Sequence, residues 1–425
     1  MLKKIFQYKT ALINSSHVFL NKALNAIVPL FFIPYYNKIF GVEGFGELVY
    51  VQSATIVLQF LTDYGFNVTG VRDLSHVGMT SQDQSRKISA IYQVKILLAV
   101  ISYAALALIS IINGFSADKI KLYFLAYTAF FVYSFTPYWF FQGVKNNATI
   151  TWINLLSKII LLALVLVLVT PGKPLYIVPL LEMISNLVAM ALSFMVMIKA
   201  HNIRLAKASL DVVREQFHSG KNIFFAAVLN WAITAGTIII LGNYASEAAL
   251  GYFATFSRLI YYAYAVLQPI SLALFPYISE KFSISYQAGM SMVKRIFKFY
   301  LVLVMVFVLG AFLLAPIFFS IFFNEVFLQT LPEYMPVFYL LVIWVALELI
   351  CYFIGYQCLV ASGRDNVYSK YYFVNTLITV AGLFLLVPKY LLFGGAISMI
   401  AGETVLLILL MRSYFQAVNP PSGNI

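Results

Sequence analysis

Eight ionisable side chains stand within long apolar stretches of the sequence. Four are basic and four are acidic: Lys22, Lys95, Lys158 and Arg258, and Asp63, Glu182, Glu348 and Glu403. If such a stretch crosses a bilayer, a Lys or Arg at its centre costs about 2.5–3.5 kcal/mol on insertion scales. Lys95 lies near the cytoplasmic end of its stretch and could extend to the membrane surface, whereas Lys22 and Arg258 lie deeper and indicate a water-filled cavity. The carboxyl groups are candidates for binding a proton or a cation, and the alternative is that they form structural ion pairs.

Polar side chains recur at helical spacing inside the same stretches. They follow one helix face in each of four stretches: Asn21 and Asn25; Gln59 and Asp63; Thr151, Asn154 and Lys158; and Thr255, Arg258 and Tyr262. Interhelical hydrogen bonds, which average below about 1 kcal/mol, explain single polar residues. Repeated stripes on several helices instead predict a shared polar cavity. Its candidate substrate-binding residues are Lys22, Lys95, Lys158, Arg258, Asn21, Asn25, Gln59, Asn154 and Tyr262.

The sequence offers no catalytic or metal-binding pattern. Its four histidines lack metal-ligand spacing: His17, His76, His201 and His218. Cys351 and Cys358 lie seven residues apart in one predicted helix, a rise of roughly 10 Å, which is beyond disulfide reach. We therefore expect two free thiols, no metal site and no cofactor.

A series of tyrosines leaves two interpretations open. The series comprises Tyr123, Tyr127, Tyr133 and Tyr138. These rings are suited to lining a sugar-binding cavity, but such residues more often form interfacial belts and pack between helices.

The composition places these residues in a membrane. Of 425 residues, 62% are hydrophobic and 10% are charged, whereas a soluble domain carries about 25% charged residues. The mean hydropathy is +0.88. A bilayer core needs about 20 apolar residues per helix, and residues 301–323 carry no formal charge. The basic start at residues 1–9 leads into a long apolar run without a small-residue cleavage site, so we predict a retained helix.

Charge clusters and turn residues divide the chain into twelve predicted spans. They lie at about 11–37, 44–66, 87–113, 119–141, 147–170, 174–199, 220–243, 248–279, 296–323, 333–361, 366–388 and 391–414. The segment 200–221 is the most polar connection. The predicted fold is an all-α integral membrane protein with an N-terminal six-helix bundle (1–199), a cytoplasmic connecting loop (200–221) and a C-terminal six-helix bundle (222–425) around a central cavity.

Basic residues concentrate on the side of the membrane that holds the N-terminus. Lys and Arg are retained in the cytoplasm during insertion, so both termini are predicted to be cytoplasmic. The net charge of +12 matches attraction to anionic lipid headgroups, and nucleic-acid binding is the poorer explanation.

Four short segments resemble signatures of the polysaccharide transporter family, the Wzx-type O-antigen flippases of the multidrug/oligosaccharidyl-lipid/polysaccharide exporter superfamily. They are NKIFGVEGFG at 37–46, TDYGFN at 62–67, GVRD at 70–73 and YQCLVASGRD at 356–365. Two positions depart mildly from the family pattern, with Phe40 in place of Leu and Val42 in place of Pro. Length and span number are similar over the whole chain.

The resemblance implies a function and a location. The implied protein lies in the bacterial inner membrane and moves an undecaprenyl-diphosphate-linked oligosaccharide, an O-antigen or capsule repeat unit, to the outer leaflet by alternating access. The embedded carboxyl groups Asp63, Glu182, Glu348 and Glu403 are the candidates for coupling this movement to a proton or sodium gradient. Basic cavity residues would meet the diphosphate, foremost Arg258 and Lys22. Membrane lipids and other polysaccharide-assembly membrane proteins are the further expected partners.

Two other functions compete with this interpretation. A multidrug-type cation antiporter shares the superfamily architecture, but the embedded basic residues disfavour cationic substrates. A membrane polymerase or glycosyltransferase needs catalytic side chains on sizeable outward loops, and the predicted outward loops are short. We therefore expect a transporter and no enzyme.

Overall fold

The computed structural model describes the backbone of residues 2–75 and 79–418. Side chains are described for the same residues, apart from positions 2–16, 18, 19, 22, 23, 266, 269, 270, 272, 273 and 416–418. Helices and short connections make up this described part, and it contains no strand. The prediction of an all-α protein is confirmed.

Thirteen α-helices follow one another along the described chain. They are α1 (Leu2–Asp63), α2 (Phe66–Leu74), α3 (Ser81–Ile112), α4 (Ala117–Phe135), α5 (Tyr138–Gly143), α6 (Asn147–Leu168), α7 (Ile177–Ala200), α8 (Leu210–Ile233), α9 (Ala235–Gly242), α10 (Glu247–Ile284), α11 (Tyr286–Phe322), α12 (Glu325–Ile354) and α13 (Asp365–Val418). A π-helix, Gly355–Val360, directly follows α12.

Short polar side chains fix where many of these helices begin. The N-cap side chain accepts a hydrogen bond from a backbone N–H of the first turn in six helices, through Thr80, Ser116, Asn146, Ser246, Ser285 and Asn324. Each cap satisfies a backbone donor that the helix itself leaves without an acceptor.

Seven of the described helical stretches are long and apolar enough to cross a membrane, or eight if α8 and α9, which meet at 45°, form one span. Two of the seven, Leu24–Leu74 and Asp365–Phe415, contain 51 residues each, enough for two crossings. They bend at Gly41, whose φ of 73° is left-handed, and at Leu391. The chain is therefore a multi-pass membrane protein, and the count of twelve spans stays a prediction.

The described chain forms two compact units. The N-terminal unit comprises the residues up to Val28 and Tyr50–Trp231, and the C-terminal unit comprises Pro29–Val49 and the residues from Ala232 onward. The middle of α1 thus packs with the second half of the sequence. The assignment of residues 1–199 and 222–425 to two six-helix bundles stays a prediction.

Residues 200–221, expected as a connecting loop, are ordered against α3 and then become helical. The backbone N–H groups of Arg204 and Ala206 donate to the hydroxyls of Ser85 and Ser89, at 3.0 Å each. Ile203 is fully buried. Helix α8 begins at Leu210, and its first half is held against α2 by Gln216, whose Nε2 donates to Asp73 Oδ2 at 3.1 Å.

In the C-terminal unit, the glycine-rich segment of α1 packs closely against α10. A Cβ on Gly46 would lie 2.8 Å from Cα of Gly251, and a Cβ on Gly251 would collide with the carbonyl of Val42. Nearby, Asn37 donates to the hydroxyl of Thr255 at 3.3 Å. The NKIFGVEGFG segment therefore has a structural role in this packing.

Candidate functional site

A polar cavity of about 230 Å³ lies within the N-terminal unit. Five helices (α1, α2, α4, α5 and α6) and the connection between α4 and α5 supply its lining: Asn21, Asn25, Asp63, Asn67, Tyr133, Ser134, Thr136, Tyr138, Trp139, Gln142 and Asn154. Amides, hydroxyls and aromatic rings dominate this wall. Four of the eleven residues, Asn21, Asn25, Asp63 and Asn154, belong to the polar stripes and carboxyl groups singled out in the sequence.

The asparagines of α1 and α6 form one side of the cavity. Asn154 Nδ2 donates to Asn21 Oδ1, and Asn25 Nδ2 donates to the backbone carbonyl of Asn21 at 3.0 Å. One turn earlier on α6, Thr151 donates to the carbonyl of His17 at 3.1 Å. The two predicted stripes therefore face each other, and their hydrogen bonds hold the amides in place.

Asp63, the acidic residue of the cavity, is neutralised within the unit. Its Oδ1 accepts from Lys95 Nζ at 2.9 Å and from the hydroxyl of Ser134 at 2.6 Å. Lys95 is fully buried and also donates to the carbonyl of Ser134. Gln59, a predicted cavity residue, is buried beside this pair and donates to Asp63 Oδ2 at 3.5 Å. Lys95 thus has a structural partner, and its charge is not available to a diphosphate.

Aromatic residues of α4 and α5 form the opposite side of the cavity. Tyr133 and Tyr138 lie with their ring centroids 5.6 Å apart. Trp139 packs on α2, where a Cβ on Gly70 would lie 2.6 Å from its Cε3 atom. Of the tyrosine series, Tyr133 and Tyr138 line the cavity, whereas Tyr123 and Tyr127 are buried in packing. Two members of the series therefore line the cavity and two pack in the interior, and sugar binding stays a prediction.

Sequence reasoning did not place Asn67, Trp139 or Gln142 in the site. Asn67 lies in the TDYGFN segment, in the first turn of α2. Trp139 and Gln142 lie on the six-residue helix α5, which begins directly after Pro137. The sequence signal for these residues is the interruption of the apolar span at Pro137, which is followed by a dense run of aromatic residues and a glutamine.

The cavity surface is polar and close to electrically neutral. Asp63 is the one charged residue among its described lining residues, and Lys95 compensates it. The side chains of Asn67 and Gln142 are exposed and make no hydrogen bond within the described part of the chain. Such a surface suits hydroxyl and amide groups of a ligand, and aromatic rings suit the apolar faces of a sugar.

A second polar cluster of the N-terminal unit contains two predicted site residues. Lys158, half-buried on α6, lies within electrostatic range of Glu182 on α7. Gln52 Nε2 donates to both carboxylate oxygens of Glu182, at 3.4 Å each. Lys158 lies one turn beyond Asn154 on the same helix and does not line the cavity.

The remaining predicted site residues lie elsewhere. The side chain of Lys22 is outside the described residues. Arg258 and Tyr262, both half-buried on α10, belong to the C-terminal unit, as do Glu348 and Glu403. Cys351 and Cys358 are buried free thiols. Among the described residues, no group of three or more His, Cys, Asp or Glu side chains could hold a metal ion.

The fold and the cavity place the chain in the class of polytopic α-helical membrane proteins that have a polar cavity inside one unit. The chain belongs to the polysaccharide biosynthesis protein family, whose sequence model matches residues 12–282. This match confirms the resemblance found in the sequence motifs.

Two relatives carry the name "Putative O-antigen transporter". The chain is 23% identical to the one from Escherichia coli (strain K12) over 64% of its own length and 65% of the relative, which is just under two thirds. It is 21% identical to the one from Shigella dysenteriae over 93% of its own length and 98% of the relative.

Solved structures with the same fold include two kinds of transporter. The lipid II flippase MurJ in an inward closed conformation has a TM-score of 0.65 and 11% identity, over 96% of this chain and 90% of that one. An inward-facing multidrug resistance MATE family transporter has a TM-score of 0.60 and 13% identity, over 96% of both chains. At these identities the likeness concerns the fold.

Proposed function

We propose that the chain is a flippase for a lipid-linked oligosaccharide. It moves an undecaprenyl-diphosphate-linked O-antigen or capsule repeat unit from the cytoplasmic to the outer leaflet of a bacterial inner membrane, by alternating access. Both termini are cytoplasmic in this proposal. Family membership, the names of the two relatives and the fold shared with a lipid II flippase support it.

The observation that carries the proposal is the cavity in the N-terminal unit. Asparagine and glutamine side chains offer donors and acceptors to hydroxyl and acetamido groups, and Tyr133, Tyr138 and Trp139 offer aromatic surface. Because Lys95 already neutralises Asp63, the cavity favours an uncharged polar group. The sugar part of the substrate has that character.

The diphosphate requires positive charge from outside this cavity. Of the basic residues proposed for it, Lys95 is paired with Asp63. Lys22, Lys158 and Arg258 remain the proposed contacts. A cationic side chain would offset the cost of taking the phosphates away from the hydrated membrane surface.

A multidrug-type cation antiporter is the second candidate, because the MATE fold is shared and a carboxylate, Asp63, lines the cavity. A cation bound there would have to compete with Lys95, which is 2.9 Å from Asp63. The pairing therefore favours the uncharged sugar. The names of the relatives favour a transporter over a membrane polymerase or glycosyltransferase.

The test is a flipping assay in vesicles that contain the full-length protein. The probe is a polyprenyl-diphosphate oligosaccharide isolated from the bacterium that encodes the chain. We compare Gln142→Leu in the cavity with Gln82→Leu, a control at an exposed glutamine outside it. Neither glutamine side chain makes a hydrogen bond in the described structure, so folding should be preserved in both variants.

The proposal predicts that Gln142→Leu slows flipping at least about fivefold, because an unpaired sugar hydroxyl costs about 1–3 kcal/mol. Gln82→Leu should flip at the wild-type rate. Wild-type vesicles that leave the glycolipid in its original leaflet, with or without an ion gradient, would refute the function.

A further inference from the structure

The C-terminal unit contains two glutamates whose carboxyl groups face each other. Glu348 lies on α12 and Glu403 on α13, and the two side chains are within hydrogen-bonding reach of each other. Glu403 is fully buried. Glu348 is half-buried, and two negative charges in such contact repel each other strongly.

The groups around the pair are hydrogen-bond donors without formal charge. Asn375 Nδ2 donates to Glu403 Oε1 at 2.8 Å, and the Tyr264 hydroxyl donates to Glu348 Oε1 at 3.3 Å. Oε2 of Glu403 is buried and has no donor among the described residues. The other titratable groups that face the pair are tyrosines and a thiol from α10, α11, α12 and α13: Tyr261, Tyr300, Cys351, Tyr352 and Tyr368.

Within the described part of the chain, no basic side chain forms an ion pair with Glu348 or Glu403. The ion pairs of the described structure join Arg72 to Asp73, Lys95 to Asp63 and Lys121 to Asp118. A single proton on one carboxyl group would remove one charge and supply the donor that Glu403 Oε2 lacks. The two groups then titrate as a unit, as carboxyl pairs in contact do.

A proton suits this site better than a metal cation. A hard cation needs a shell of oxygen ligands with available lone pairs. Here an amide N–H and a tyrosine O–H already point at one oxygen of each carboxyl group. Asn375 and Tyr264 therefore present donor hydrogens to the two carboxyl groups, and a donor hydrogen offers no lone pair to a cation.

The neighbouring backbone is suited to a change of shape. The π-helix Gly355–Val360 continues α12 two turns after Glu348, and π-helical turns often mark functional sites because their hydrogen-bond pattern is easily shifted. Gly355 at its start packs directly on the ring of Tyr368. Glu348 and Glu403 therefore lie on two helices, α12 and α13, and the π-helical turn that follows α12 packs against α13.

We propose that Glu348 and Glu403 form a proton-binding site that holds one shared proton in this conformation. The site releases the proton when α12 and α13 move apart and each carboxylate reaches water. Its use to drive glycolipid movement rests on the proposed function, whereas proton binding itself does not.

The test of proton binding is infrared spectroscopy of the full-length protein, in lipid nanodiscs without any glycolipid. The carbonyl band of a buried carboxylic acid shifts in D2O, and its loss on raising the pH reports deprotonation. We compare wild type with Glu348→Gln and Glu403→Gln, which preserve shape. Glu333→Gln, an exposed glutamate on the same helix, is the control.

The proposal predicts one titrating band in wild type and in Glu333→Gln, and no such band in Glu348→Gln or in Glu403→Gln. Size-exclusion profiles establish that the variants are folded. A wild-type spectrum without the band, or a band that survives both substitutions, overturns the proposal. A spectral change caused by sodium ions at constant pH, and removed by the same substitutions, also overturns it in favour of a sodium site.

Transport supplies an independent arm of the test. In vesicles, an imposed pH gradient should accelerate wild-type flipping and should not accelerate flipping by Glu403→Gln. If the glycolipid is not flipped by any variant, the proposed function fails while the infrared result still decides proton binding.

Discussion

Removal of the buried lysine beside the cavity should destabilise the protein far more than removal of an exposed one. In Lys95→Met the carboxylate of Asp63 loses an ammonium group at 2.9 Å, and the lysine side chain is fully buried. The matched control is Lys121→Met, which breaks an ion pair with Asp118 at 3.1 Å, where both side chains are exposed. Exposed pairs contribute little to stability, so the control should leave the melting temperature unchanged.

The size of the effect follows from the contact distance. At an effective dielectric constant of about 20, the Lys95–Asp63 attraction is about 6 kcal/mol. Loss of the lysine alone leaves a buried carboxylate without its partner, and broken buried pairs typically cost about 3–5 kcal/mol. An aspartate of ordinary pKa can be protonated at pH 7 at a cost of about 4 kcal/mol. The loss in the free energy of unfolding is therefore limited to the same range.

The assay is thermal unfolding of the purified protein in nanodiscs. For a unit of about 200 residues, 3–5 kcal/mol corresponds to a fall of roughly 6–20 °C in the melting temperature. Adding Asp63→Asn to Lys95→Met should restore most of the loss. A Lys95→Met protein as stable as wild type, or a double variant worse than the single one, would refute the structural role of the pair.

Two further outcomes follow from the structure, in addition to those given with the two proposals. Gly251→Ala, whose Cβ would collide with the carbonyl of Val42, should lose about 1–3 kcal/mol in thermal unfolding, whereas Gly310→Ala, with nothing within 4 Å, should not be destabilised. Burial against Phe140 and Phe141 lowers the pKa of His201 below its ordinary 6.5, so the unfolded chain binds the proton first and stability is lost as the pH falls below about 6.5. His201→Gln should show a smaller loss between pH 7 and pH 5, and an unchanged pH profile would contradict this. Gln142→Leu should slow flipping, and Glu348→Gln and Glu403→Gln should each remove the titrating carboxylic acid band, as described above.

The polar stripes predicted part of the cavity because helical spacing decides which residues share a face. Asn21, Asn25 and Asn154 were found in this way, and they do face one another. The partner of Lys95 could not be predicted, since Asp63 is 32 residues away on another helix. Only packing brings these charges together, and packing is set by contacts among all the neighbouring helices.

Local pattern also explains which parts of the fold were predictable. Runs of apolar residues and short polar caps are local signals, so helices could be predicted from the sequence. The placement of Pro29–Val49 with the second half of the chain has no local signal. It depends on the close approach of Gly46 and Gly251, which are more than 200 positions apart. Trp139 enters the cavity wall for a similar reason, because its position is fixed by Gly70 on α2.

The measurement that bears most directly on the sugar-binding cavity is a comparison of two lipids. Binding to the full-length protein in nanodiscs is measured for a polyprenyl-diphosphate oligosaccharide and for the same polyprenyl diphosphate without sugar. Wild type should prefer the glycosylated lipid, and Asn67→Leu should reduce this preference by at least about fivefold while leaving affinity for the sugar-free lipid unchanged. Equal affinity of wild type for the two lipids, or a preference that Asn67→Leu and Gln142→Leu both retain in full, would contradict the account.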